Sequence, residues 1–172
     1  CRVELQKIRG ELVREPTPME RNIKELLKSN VIGRIEAAEA LGEIGDSRAI
    51  WSLSVAFKDR DIGVRIAVVE ALGKIGSPRA IVPLIDAIRD EVYQVRVSVV
   101  EALGEIGDPR ALEPLSHALT DEVYQVRVSV VEALGEIGGP GVVEPLSHAV
   151  NDRDIRVRIV ANRARARFSS YF

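Results

Sequence analysis

The sequence predicts an all-α fold, an α-solenoid of about five stacked 31-residue antiparallel helix pairs, and three observations predict it. The string Glu-Ala-Leu-Gly-x-Ile-Gly begins at Glu39, Glu70, Glu101 and Glu132, a constant period of 31. Residues 90–107 and 121–138 are identical over 18 positions, and Pro114–Ala118 returns letter for letter as Pro145–Ala149. Apolar residues recur at helical spacing, and no strand-like alternation competes. A period of this length marks supersecondary units that cannot bury their apolar faces singly and must stack.

Residues 1–14, with Val3, Leu5, Ile8 and Leu12 at helical intervals, read as an N-terminal capping segment. A single repeat domain follows over 15–169, with repeats at about 15–45, 46–76, 77–107, 108–138 and 139–169, and 170–172 form a C-terminal tail. The first copy is weak and the last decayed. Helix A starts where a capping side chain precedes proline in Ser77-Pro78 and Asp108-Pro109. Proline suits the first helical position because the N–H it lacks would go unbonded there. Leu84, Ala87 and Ile88 recur as Leu115, Ala118 and Leu119 on one face, and helix A ends near Asp90. After an acidic turn, helix B carries the stripe Val64, Val68, Ala71, Leu72 and Ile75, at i, i+4, i+7, i+8 and i+11. Gly76 or its counterpart then ends it as a left-handed cap. The fifth copy has Arg165 where the others have Leu72, Leu103 and Leu134, which suits the outer end of a stack. At about 8–10 Å between packed helices, five repeats make a rod of roughly 40–50 Å.

Composition removes several classes of function. With 46% hydrophobic and 29% charged residues, and no apolar run of about 18, neither a disordered chain nor a transmembrane helix fits. The 24 basic and 26 acidic side chains leave a net charge of −2, which argues against global attraction to nucleic acid or an anionic membrane. The single cysteine, Cys1, leaves no disulfide framework and no cysteine-rich zinc site, so a reducing, cytoplasmic setting without an export signal is the expectation. Nineteen arginines against five lysines, with only four Asn and three Gln, suggest a thermophilic source.

The pattern Val-Arg-x-x-(Ala/Val)-(Ala/Val)-Glu-Ala-Leu-Gly-x-Ile-Gly after an acidic turn resembles the short HEAT repeats first described in phycobilin lyases, over roughly residues 15–169. The resemblance implies a HEAT-like superhelix whose second helices line a concave groove. Members of that family include adaptor scaffolds, bilin-lyase subunits, di-iron deoxyhypusine hydroxylases and DNA alkylpurine glycosylases. The His-Glu pairs that the hydroxylases use as ligands are missing here, because His117 and His148 are each followed by alanine.

Wound at 100° per residue from Val64, the core positions of helix B cluster near 30°, whereas Gly63, Ile66, Glu70 and Lys74 fall between about 200° and 280°. Their counterparts form ladders. Ile35, Ile66, Val97, Val128 and Ile159 make an apolar stripe. Beside it run Glu39, Glu70, Glu101 and Glu132, with Glu105 and Glu136 one turn further and Gln94 and Gln125 at the helix starts. An apolar track rimmed by charge of one sign predicts an interaction surface. The competing reading packs the Val and Ile residues against neighbouring helices and leaves the glutamates as a solvated face. Tyr93 and Tyr124, at the turns beside Gln94 and Gln125, are candidate rim aromatics.

Asp59, Asp90, Asp121 and Asp152, with Arg34, Arg65, Arg96, Arg127 and Arg158, read as a structural ladder that caps helix B and ties neighbouring repeats together. Trp51, in register with Val82, points away from the core, to be covered by the N-terminal segment or offered to a partner. His117 and His148 fall on the convex face with no third ligand, so no metal is expected. Arg153, Arg156, Arg158, Arg163, Arg165 and Arg167 make a basic end. It reads as complementing the acidic groove, through self-association or a larger assembly, and not as binding duplex DNA, which that groove would repel.

No nucleophile elbow and no phosphate-cradling loop is present, and the glycines read as helix-end residues. The reading is therefore a non-catalytic protein–protein interaction scaffold or adaptor, binding a partner segment in the concave groove, with no cofactor and no membrane role. The alternative is an enzyme or enzyme subunit related to bilin lyases or deoxyhypusine hydroxylase-like proteins, which predicts a copurifying chromophore or iron. Nucleic-acid binding through the arginine-rich end ranks below both.

Overall fold

Ten α-helices run in five antiparallel pairs through residues 15–168, the part of the chain that the computed structural model describes, with no strand among them. The capping role read for residues 1–14 and the tail at 170–172 lie outside the described residues. In chain order the helices are α1 (Pro18–Lys28), α2 (Val31–Ile44), α3 (Ile50–Ala56), α4 (Ile62–Ile75) and α5 (Ile81–Ala87), then α6 (Tyr93–Ile106), α7 (Leu112–Ala118), α8 (Tyr124–Ile137), α9 (Val143–Ala149) and α10 (Ile155–Arg167). Odd-numbered helices are the A helices and even-numbered ones the B helices.

Local signals act as their chemistry requires. Thr17 accepts from the Glu20 N–H while Glu20 accepts from the Thr17 N–H, a capping box that starts α1 with Pro18 in its first turn. Gly45, Gly76 and Gly107 end their helices in the left-handed region at φ 61–67°, a conformation that glycine adopts without steric cost. From the second repeat on, helix A opens one step differently from the sequence expectation. Short 3₁₀ turns, Ser47–Ala49, Pro78–Ala80, Pro109–Ala111 and Pro140–Val142, precede the α-helical part. Asp46, Ser77 and Asp108 accept from the N–H two residues on, which tightens the first turn.

Each pair contributes fully buried leucines to one continuous core, among them Leu53, Leu84, Leu115 and Leu146 from A helices and Leu41, Leu72, Leu103 and Leu134 from B helices. Each such side chain stabilises the fold by about 1.5–3 kcal/mol relative to exposure. Successive B helices pack directly on one another along the whole stack, and each A helix packs on the B helix of its own pair.

Close backbone approaches between repeats are made at two glycines of the repeated Ala-Leu-Gly string. A Cβ placed on Gly42 would lie 2.9 Å from the Ala71 Cα, and one on Gly104 would lie 3.0 Å from both Cα and Cβ of Ala133. These glycines are therefore contact residues between repeats as well as members of a last helical turn. Clefts, by contrast, open between successive A helices, lined by Trp51 and Val82, by Ile85 and Pro114, and by Glu113 and Glu144. Successive B helices thus approach more closely than successive A helices.

Candidate functional site

The B helices are held in register by a repeated ion-pair rung at their starts. The Arg65 guanidinium donates Nε and Nη2 to Asp90 at 2.9 and 3.1 Å, and Nη1 to the carbonyl of Asp59 at 2.9 Å. The Asp90 carboxylate also accepts the Val92 N–H at 2.8 Å. The same fork joins Arg34 to Asp59, Arg96 to Asp121 and Arg127 to Asp152. Every rung thus ties the turn of one repeat to the turn of the next by a bidentate, charge-assisted contact.

Burial alone would push Asp59 and Asp152 up, but the Arg34 and Arg127 guanidinia and the N–H groups of Asp61 and Asp154 hold both carboxyls below the ordinary range. The structural reading of this ladder stands, with one correction. These aspartates close the A-to-B turn; the N-caps of α4, α6, α8 and α10 are Asp61, Val92, Val123 and Asp154.

On the B-helix face, Glu39, Glu70, Glu101, Glu132, Glu105 and Glu136 are all exposed. The apolar ladder is more covered: Ile35, Ile66, Val97 and Val128 are half-buried against the core, and Ile159 alone of the five is exposed, at 45%. The cause lies in the next repeat, where a Cβ on Gly63 would meet Ile35 Cδ1 at 3.3 Å. Ile35 thus fills the seam toward the next B helix, and Ile66, Val97 and Val128 are likewise packed against the core while the carboxylates stay exposed.

Gln94 is exposed and Gln125 half-buried. Tyr93 and Tyr124 begin α6 and α8; Tyr93 is 36% exposed, whereas Tyr124 lies under the Arg156 guanidinium, 3.3 Å from the ring centroid. Lys74 interrupts the acidic row and pairs with Glu43 of the preceding repeat at 2.7 Å.

Glu101, in the middle of the row, is pushed above the ordinary glutamate range, first by partial burial and then by the charges of Glu132, Glu105, Glu70 and Glu136. A carboxyl raised in the folded state destabilises that state when ionised. Glu101→Gln is therefore expected to raise the thermal midpoint at neutral pH, an advantage that fades as pH falls through the glutamate range, where the wild-type carboxyl protonates. Thermal melts of both proteins at pH 7 and pH 4 check this; an equal difference at both pH values would contradict it.

The fifth repeat reverses the sign. Arg163 and Arg167 take the positions of Glu132 and Glu136 and face them across a cleft between α8 and α10 that Val160 also lines. Within the basic end, Arg153, Arg156 and Arg158 have partners in the fold, and of these three only Arg156 is paired with a carboxylate. Arg153 donates to the Glu122 carbonyl, Arg156 to Asp154, and Arg158 to the carbonyls of Asp152 and Arg153. Trp51 is 73% exposed on the opposite face, beside Val82 and Pro83, and the segment proposed to cover it lies outside the described residues. His117 and His148 are exposed and line one cleft between α7 and α9. Among the described residues no group of three or more His, Cys, Asp or Glu side chains is placed to hold a metal, and no helix is long and apolar enough to cross a membrane.

The HEAT-repeats family matches residues 20–98 and 81–166. Phycocyanin lyase from Nostoc sp. PCC7120, solved as a complex of CpcE and CpcF, is similar at 25% identity with a TM-score of 0.75, over 94% of this chain and 68% of that one. A designed armadillo repeat protein in complex with the peptide (KR)4 shares the fold at 19% identity and TM-score 0.64, over 88% and 80% of the two chains. Human deoxyhypusine hydroxylase shares it at 21% identity and TM-score 0.54, over 89% and 73%. No curated protein matches. With family matches that together span nearly all the described repeats, this chain belongs to the HEAT-repeat family, of the phycobilin-lyase HEAT-like type.

Proposed function

We propose that the chain is a non-catalytic interaction scaffold that binds a partner segment along the inner face of α2, α4, α6, α8 and α10. The observation that carries this reading is the row of exposed carboxylates Glu39, Glu70, Glu101 and Glu132, held in line by the buried arginine rungs beside it. Like charges stacked on adjacent helices repel, and the fold offsets them only in part, through Lys74 near Glu39 and Glu70 and Arg163 opposite Glu132, so a partner is the natural source of further compensation at Glu101. Ile35, Ile66, Val97, Val128 and Ile159 supply the floor, and Gln94, Gln125, Glu105, Glu136, Tyr93 and Tyr124 the edges. The similar proteins support the type of role: CpcE is found in complex with CpcF, and the designed armadillo protein holds a peptide.

A lysine-for-glutamate change at Glu101 and Glu132 together tests it. Surface changes usually cost no more than about 0.5 kcal/mol, so the double variant should keep its circular-dichroism melt. It should lose a partner that wild-type chain captures from native lysate. Unfolding would assign the glutamates to the scaffold, and undiminished capture would move the site elsewhere. A second reading, a subunit of a bilin-lyase-like enzyme, is favoured by the similarity to phycocyanin lyase; it requires a chromophore to copurify or transfer, which absorption spectra of the purified chain would reveal.

A further inference from the structure

Resting on that groove reading, we infer that the occupant is an extended, charge-polarised segment of a partner protein: lysine or arginine side chains against the first four repeats, ending in a carboxylate at the fifth. The inner face of α2, α4, α6 and α8 presents exposed carboxylates with one internal cation, Lys74, which is paired with Glu43. Glu101 lies within the field of four other carboxylates, so a cation entering there relieves repulsion already present.

At α10 the sign changes within one cleft, where Arg163 and Arg167 stand opposite Glu132 and Glu136. A uniformly basic segment would be repelled at its end, and a uniformly acidic one along most of its length. The half-buried row from Ile35 to Val128 gives the aliphatic stems of lysine and arginine a surface to lie on. Spacing sets the pattern: packed helices lie about 8–10 Å apart and an extended polyproline-like chain advances about 3.1 Å per residue, so a basic residue at about every third position meets successive B helices.

The test is fluorescence anisotropy of the full chain with two labelled synthetic peptides at about 0.15 M salt, where exposed charges are screened beyond about 8 Å. One peptide carries lysine-serine-serine triplets followed by two glutamates, and the other carries the two glutamates midway between its triplets. The first order should bind about tenfold tighter, since in either chain direction the second sets its glutamates against the carboxylates of the central B helices and leaves a lysine at α10. Exchanging the cations in R163E/R167E should abolish or invert that preference, and E101K/E132K should lose both peptides. Equal binding of the two orders, or binding of neither, overturns the polarised occupant. The groove reading fails separately, if E101K/E132K still captures the native partner. Sedimentation of the chain alone supplies the remaining outcome: a dimer that both charge-reversal variants dissociate would make α10 of a second copy the occupant and overturn the inference.

Discussion

Arg127→Ala is expected to destabilise the protein by about 3–5 kcal/mol, the cost of leaving one partner of a buried ion pair without the other. The Arg127 and Asp152 side chains are 3% and 11% exposed, so the pair is largely shielded from water in the intact fold. Four contacts go at once: two bonds to Asp152, at 2.8 and 2.9 Å, and two to the carbonyls of Asp121 and Glu122. Arg127→Lys should recover only part, because one ammonium cannot span a carboxylate and two carbonyls in the planar fork that arginine supplies.

The pH dependence has a definite sign. Asp152 is held low when folded, so the rung's stabilisation is present above the ordinary aspartate pKa and is lost as pH falls through the folded value. The gap between wild type and Arg127→Ala should therefore narrow in acid. Urea unfolding at pH 7 and at about pH 2.5, below the ordinary aspartate range, measures both effects. Hydrogen exchange should show the junction of repeats four and five opening first, since a solenoid is stabilised by nearest-neighbour interfaces. A loss below about 1 kcal/mol at pH 7 would place the rung among ordinary surface pairs.

Gly104→Val should cost about 2–3 kcal/mol through overpacking of an interface that has no slack. The flexible Glu136 carboxylate, 2.5 Å from the position of a new Cβ, can swing away, but the Ala133 Cα at 3.0 Å is backbone of the next helix and cannot move without opening the stack. Gly104→Ala meets the same atoms yet gains about 1 kcal/mol of helix propensity, so it should fall much nearer neutral. Gly135 is the control. A Cβ there meets Ala164 Cβ and Arg167 Nη1 at an ordinary 3.6 Å, so Gly135→Ala should stabilise. Chemical denaturation of the three variants separates the cases; a stabilised Gly104→Val would show that the B helices are not packed at contact distance.

Most of the architecture is legible in the letters. The 31-residue period, the Pro-Arg-Ala starts of helix A, the helix-ending Gly76 and Gly107 and the apolar stripe of helix B each follow from a local rule acting within a few residues. The outward direction of Glu39, Glu70, Glu101 and Glu132 follows as well, because helical geometry alone decides which side a residue faces. Far less can be read about what meets what. That Arg65 reaches an aspartate 25 residues on while donating to a carbonyl behind it depends on how far one repeat is displaced and rotated against the next. So does the covering of Ile35 by the start of α4, which turns a track expected in solvent into a seam.

The glycine in Glu-Ala-Leu-Gly was visible as a repeated letter, but its task, admitting Ala71 or Ala133 at contact distance, exists only once two B helices are laid side by side. The arginines of the fifth repeat divide the same way: the sequence alone shows six cations, and only packing shows that Arg153, Arg156 and Arg158 are engaged by carbonyls, Asp154 and the Tyr124 ring. Sequence by itself determined the elements, their period and the face each residue occupies, since those are short-range properties of a helix. The tertiary structure alone decided the partners across repeats, because the offset between neighbouring helices is a property of the packed interface and of no single segment.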